Sequence, residues 1–422
     1  MTTMALFEQR RWRPGRLAKN TIALGTGMGL RALAQGLVFL IVARTLGTEG
    51  YGAFSAVLAW AGVWVHFCGL GGPVILIRNV ARDPESFSQN WGLTLAAMAL
   101  GTFPVLVVFA WSAWRLLPDL SCWLLVSLGL AELVFWPLAN AGDFAYRGFE
   151  RMGRSARLLL TPVLARLMAA FALVGLVHWQ TKAERVKLWG CLYAAASLMS
   201  AVYALFRATR DLGRPSWPSR RTLWPYIVEG LPFSFWGSAN KIYVDADKFL
   251  LARMASLEIT GIYSAGYRLI DLAFLPLHAL LDAAAPRLFR AGAQGPAFAL
   301  RGSLPLIWPA VGYALSIGIG MWLAAPLIGR LLGENYVGSI QVVRWLSWMP
   351  LVGLPRLLLS YAAATGDAQR LGMMAVLLGA VVNVILTIWW IPVWGWQGAA
   401  AATYASEIFM SVMLAALFFS KV

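Results

Sequence analysis

Charged side chains are scarce in this chain: 13 % of its residues are Asp, Glu, Lys or Arg, against about a quarter in a soluble domain. Cys68, Cys122 and Cys191, like His66, His178 and His278, stand singly and far apart. That spacing excludes a disulfide framework and a zinc-type ligand cluster, and no nucleophile motif accompanies it. The cysteines fall in or beside apolar runs and read as small core residues. Long polar stretches between the apolar runs are missing as well.

What is present instead is hydrocarbon. Apolar residues make up 59 % of the 422 and the mean hydropathy is +0.67, the signature of a polytopic membrane protein. The apolar runs recur at the roughly 20 residues a helix needs to cross a hydrocarbon core. Twelve spans can be drawn: 18–43, 52–72, 89–113, 119–141, 156–178, 187–207, 223–251, 259–285, 303–325, 339–363, 370–391 and 397–420. The basic N-terminus precedes a run too long for a signal-peptide core, so it reads as a retained first helix. The expected fold is all-α, with about twelve transmembrane helices in two related six-helix bundles around a central cavity.

The net charge of +16 suggests nucleic acid, but the basic residues sit in short loops between spans, which is the footprint of topology. With the N-terminus inside, 21 of the loop and tail Lys and Arg fall on the cytoplasmic side and eight on the other. Both termini are therefore expected in the cytoplasm. The segment 209–222 carries two prolines, Pro215 and Pro218, and several arginines and reads as a cytoplasmic linker. It separates an N-terminal bundle (1–208) from a C-terminal one (223–422).

A short repeat supports that division. Ala43-Arg44, Glu49, Gly52, Ser55 and Ala56 recur as Ala252-Arg253, Glu258, Gly261, Ser264 and Ala265, at a constant offset of 209 residues. First and seventh spans both start inside, so the halves run parallel and are related by an axis along the membrane normal. Glycines of the first helix, Gly25, Gly27, Gly29 and Gly36, read as close helix packing or bending. No strand precedes them, which removes a nucleotide loop.

The functional signal is charge inside the spans. An ionisable group at a helix centre costs about 2.5–3.5 kcal/mol on insertion scales, so it faces protein or water. Helical spacing groups Arg31 with Gln35 and Glu132 with Trp136 and Asn140. On the seventh span it aligns Ser238, Lys241, Asp245 and Lys248, with Asp247 to one side; on the eighth, Arg268, Asp271 and His278. Arg356 and Glu407 follow later, and Arg166, on the fifth span, is read as a residue that can snorkel. Arg31, Lys248, Arg268 and Arg356 are the candidate contacts for an anionic head group, since Arg offers a planar donor fork and Lys a compact charge. Glu132, Asp245, Asp247, Asp271 and Glu407 are the candidate polar or coupling residues. The alternative for each is an internal ion pair; Lys241–Asp245 and Arg268–Asp271 are spaced for it.

Asn20, Ala43-Arg44-x-Leu46-Gly47 and Tyr51-Gly52-x-Phe54 resemble the N-terminal pattern of bacterial oligosaccharide flippases of the polysaccharide-transporter family. Asp247-Lys248-Phe249-Leu250-Leu251 with Gly261-Ile262-Tyr263-Ser264-Ala265, and Leu332-Gly333-Glu334-x-Tyr336, are similar to that family's second half. The resemblance implies an inner-membrane flippase, of the superfamily that also holds multidrug exporters, moving polyprenyl-pyrophosphate-linked sugars to the periplasmic leaflet by alternating access. O-antigen or another surface polysaccharide would be the product, with no cofactor and with a proton, sodium ion or the membrane potential as driving force. Membrane lipids and other polysaccharide-assembly membrane proteins are the expected partners. Two rivals are weaker. A multidrug exporter would favour an acidic cavity, and a membrane polymerase or glycosyltransferase would need acid/base or metal-binding groups in a sizeable outer loop.

Overall fold

The computed structural model describes residues 16–177, 180–292, 295–365 and 369–419, and all regular structure among them is helical. α1 (Arg16–Gly69) is 54 residues long, about 80 Å if straight, too long for one crossing; it breaks at Gly47 (φ 71, ψ 179) into two. α2 (Gly72–Arg82) returns along one end before α3 (Phe87–Leu116). α4 (Cys122–Leu130) continues through a π-turn into α5 (Trp136–Gly148), and α6 (Met152–Leu176) and α7 (Lys182–Leu212) complete the first half.

α8 (Arg220–Met254) and α9 (Leu257–Gly292) open the second half, followed by α10 (Pro296–Ala324) and the short α11 (Leu327–Leu332). α12 (Gly338–Leu346), α13 (Met349–Val352) and α14 (Leu354–Thr365) form one interrupted crossing. Its breaks fall where Pro350 and Pro355 remove amide donors. α15 (Gln369–Trp394) and α16 (Trp396–Phe419) close the chain.

Nine stretches among the described residues are long and apolar enough to span a membrane. Counting α1 as two crossings and adding α8 and α9 brings the total to twelve. α8 fails a composition test because Lys241, Asp245, Asp247 and Lys248 crowd its second half. The connection between halves is shorter than the composition of 209–222 suggests: α7 runs to Leu212 and α8 starts at Arg220.

Many bulky side chains face outward, Trp308 at 80 % and Phe103 at 73 % exposure among them. Such a surface suits hydrocarbon rather than water. Helix contacts inside are made by small residues, including Ala56, Ala61, Ala170 and Ala400, all fully buried, which lets backbones approach. Cys68 is buried, but Cys122 and Cys191 lie on the exposed surface rather than in the core; a cysteine is apolar enough to face lipid. At Gly29 and Gly36 of the first helix a Cβ would meet nothing within 4 Å, so close packing does not require glycine at those two positions.

The repeated stretch does form a close contact, with its own copy. A Cβ on Gly52 would overlap the Leu257 carbonyl oxygen, and one on Gly261 would overlap the Thr48 carbonyl oxygen. Thr48 and Leu257 are themselves equivalent at the 209-residue offset, so the contact is reciprocal, as a two-fold between the halves requires. α1 carries much of this interface, packing on α6 within its half and on α8 and α9 across it.

Candidate binding chamber between the halves

Pro137 shapes the first wall. Its missing N–H breaks the α-helical ladder, and the Trp136 N–H bonds instead to the Ala131 carbonyl, five residues back. The resulting π-turn over Ala131–Phe135 holds Glu132, in line with the use of such bulges at functional sites. Glu132 Oε1 accepts from Tyr193 (2.6 Å) and from Arg166 Nη2 (3.1 Å), and the same Nη2 donates to Ser197 (3.1 Å).

Arg166 lies over the Tyr193 ring (4.1 Å to its centroid) and beside Trp136 (5.7 Å); Arg31 approaches Trp136 at 5.8 Å. Tyr193 comes from a stripe on α7, Trp189-Tyr193-Ser197, at four-residue spacing that presents one face.

Between α1, α5, α6, α7 and α9 these side chains enclose a chamber of about 80 Å³, lined by Arg31, Gln35, Trp136, Arg166, Tyr193 and Arg268 among others. Three guanidinium groups line it and no carboxylate does; Glu132 and Asp271 stand behind, the latter 3.8 Å from Arg268. Arg31 forms no ion pair with any described residue. The Arg31 guanidinium sits beside the Trp136 face, where cation–π attraction offsets part of its desolvation.

The structure therefore brings Arg31 and Arg268 together, adds Arg166, and places Lys248 and Arg356 elsewhere. Lys248 Nζ is 2.8 Å from Asp245, 3.6 Å from Asp247 and 4.1 Å from the Tyr267 ring centroid, and donates to the Val244 carbonyl. Lys241 takes the other Asp245 oxygen at 2.9 Å, and Tyr263 donates to Asp247 at 2.7 Å. Arg356 Nε is 2.6 Å from Glu407, which also accepts from the Tyr243 hydroxyl. Both cations already have their counter-ions inside the second half, so their geometry is that of internal pairs.

Seals close both ends of the chamber. At the Gly47 end lies the Gly52–Gly261 crossing, with Tyr336 donating to the Ala43 carbonyl at 2.9 Å. At the other end the backbones of Gly71 (φ 69) and Gly230 abut, leaving no room for a Cβ on either. Tyr226 donates to the Gly72 carbonyl (2.9 Å), Ser238 to Val63 (2.6 Å), and Arg78 pairs with Glu229 (2.7 Å). Ligand pockets for drug-sized molecules run to about 300–1,000 Å³, so in this conformation the chamber is too small to hold such a molecule.

The chain matches the family described as "Polysaccharide biosynthesis protein" over residues 17–291. Among solved structures it superposes on the lipid II flippase MurJ in an inward closed conformation, with a TM-score of 0.73 and 13 % identity, covering 95 % of this chain and 88 % of that one. An inward-facing multidrug resistance MATE family transporter of the MOP superfamily gives 0.71 and 13 %, over 94 % of this chain and 98 % of that one. A MOP superfamily transporter from Pyrococcus furiosus, described by the reverse polarity of its binding pocket, gives 0.64 and 14 %, over 96 % and 94 %. At these identities the likeness is one of fold. No curated protein matches the chain by sequence.

Proposed function

The chain belongs to the polysaccharide biosynthesis protein family, and from that premise we propose that it is a flippase for a polyprenyl-pyrophosphate-linked oligosaccharide. The lipid-linked sugar moves from the cytoplasmic to the periplasmic leaflet of the bacterial inner membrane by alternating access, for assembly of a surface polysaccharide such as O-antigen. The observation that carries this reading is the convergence of Arg31, Arg166 and Arg268 on one chamber between the halves with no carboxylate in its lining. A diphosphate is the anion such a set suits: two guanidinium forks can each take a pair of its oxygens. Trp136 and Tyr193 offer flat faces beside it for the first sugar ring.

The acids behind the arginines supply a coupling device. When the diphosphate replaces Glu132 and Asp271 as counter-ion to Arg166 and Arg268, those carboxylates are released to take a proton or a sodium ion. Lys248 and Arg356, already neutralised by Asp245, Asp247 and Glu407, hold α8, α9, α14 and α16 together as the halves rock. The fold is shared with a multidrug exporter, but a basic chamber repels the cationic cargo that an acidic cavity would draw in.

Arg31→Ala, Arg268→Ala and Arg166→Lys, each expressed in a strain lacking the protein, test the reading. The expected result is loss of surface polysaccharide and build-up of the lipid-linked intermediate at normal protein levels. Full surface polysaccharide from all three variants would refute it. Lys is chosen at position 166 because Ala would leave Glu132 without its cation.

A further inference from the structure

A second recess lies apart from the chamber. A groove of about 850 Å³ runs along the outside of the seam between the halves, walled by Trp64 and Phe67 of α1, Leu100 and Val108 of α3, and Leu223 and Trp224 of α8. Leu100 and Val108 are eight residues apart, so the apolar wall extends for about 12 Å or more along α3. Its one charged lining residue is Arg220, in the first turn of α8. Arg220 is exposed and forms no ion pair with any described residue.

An apolar recess facing the bilayer does not hold water, which would find no hydrogen-bond partners there, and left empty it forfeits dispersion contacts along its walls. Hydrocarbon suits it. One end of the groove lies at Arg220 and Trp224 (69 % exposed), side chains suited to the head-group level. We infer that this groove is a binding site for one anionic glycerophospholipid, its acyl chain along α3 and its phosphate against Arg220.

The seam decides against the transported lipid as occupant. Gly71 against Gly230 and Ser238 on the Val63 carbonyl separate groove from chamber, so the head group of a lipid lying here stays at Arg220 and does not reach Arg31. Because α1 and α3 belong to one half and α8 to the other, the bound lipid bridges both. It therefore favours the conformation in which this end is shut.

The test is native mass spectrometry of the full chain in detergent, titrated separately with dioleoylphosphatidylglycerol and dioleoylphosphatidylcholine. The unaltered chain should retain one phosphatidylglycerol about fivefold more tightly than phosphatidylcholine, the order expected for one arginine near an anionic surface. Arg220→Gln should remove that preference, while Arg115→Gln, an exposed arginine far along α3, should leave it intact. Val108→Trp and Leu100→Trp, at positions 40 % and 56 % exposed toward lipid, fill the groove and should abolish retention of both lipids with unchanged helical circular dichroism. Equal retention of the two lipids by the unaltered chain, or undiminished retention in both tryptophan variants, overturns the inference. So does displacement of phosphatidylglycerol by equimolar undecaprenyl phosphate, which would give the groove to the transported lipid's chain.

Discussion

Gly52→Ala adds one methyl group at the point where the two halves cross, where it would overlap the Leu257 carbonyl oxygen and lie 2.8 Å from the Gly261 amide nitrogen. Carbon–oxygen contacts settle at about 3.3–3.6 Å, so the helices must part by an ångström or more. Overpacking of this kind costs about 1–3 kcal/mol. Local helix propensity pulls the other way, Ala being better than Gly by about 1 kcal/mol. The two act on different equilibria, however: propensity favours the helix in every conformation, whereas the clash exists only while this end is shut. A state-specific penalty of that size shifts the open-to-shut ratio about 5- to 150-fold. Glu49 and Glu258 are exposed and equivalent at the repeat offset. Spin labels on cysteines introduced there, with Cys68, Cys122 and Cys191 replaced, report the separation of the two helix starts by pulsed electron resonance. Gly52→Ala and Gly261→Ala should each move the distance distribution toward the long, open population and slow transport. Gly36→Ala, in the same helix with nothing within 4 Å of the added carbon, should do neither. A short, unchanged distance in both Gly52→Ala and Gly261→Ala would refute the assignment of the crossing as a gate.

Other outcomes follow from the ion pairs. Glu407 is almost fully buried against Arg356, so Glu407→Leu alone should cost about 3–5 kcal/mol of stability by stranding a cation. The Arg356→Leu/Glu407→Leu double variant should recover most of it, as read by thermal unfolding in detergent; equal losses in single and double variants would contradict an internal pair. Arg78→Ala should lower stability by less than about 1 kcal/mol, because Arg78 and Glu229 are both more than a third exposed and screened. Glu132→Gln should flatten the dependence of transport on a proton or sodium gradient while retaining substrate binding. An unaltered gradient dependence would remove Glu132 from coupling.

Much of the architecture is legible in the residues themselves. Hydropathy locates the crossings because a bilayer imposes one length on every helix, and α8 is recognisable even though its charges dilute the signal. The equivalence of Gly52 with Gly261 is readable as a repeat, but its meaning is not: two helices that meet across a pseudo-two-fold are 209 residues apart in the chain. The site is less legible for the same reason. Spacing along α8 aligns Lys248 with Asp245 and leaves open whether the cation faces a cavity or a neighbour; the structure pairs it with Asp245 at 2.8 Å. Arg166 reads in the sequence as free to snorkel, yet it turns inward to Glu132 and Tyr193. Locally, the missing amide donor of Pro137 goes with the π-turn that holds Glu132.

Transport itself tests the central claim most directly. The chain, reconstituted in unilamellar vesicles with an undecaprenyl-pyrophosphate-linked fluorescent oligosaccharide, is assayed by the fraction of sugar that an added glycosidase can reach. Movement between leaflets should require the protein, fall at least tenfold with Arg31→Ala or Arg268→Ala, and fail for an uncharged polyprenyl glycoside bearing the same sugar. Equal movement of the charged and uncharged lipids, or unchanged rates in both arginine variants, would contradict a chamber built to bind the diphosphate.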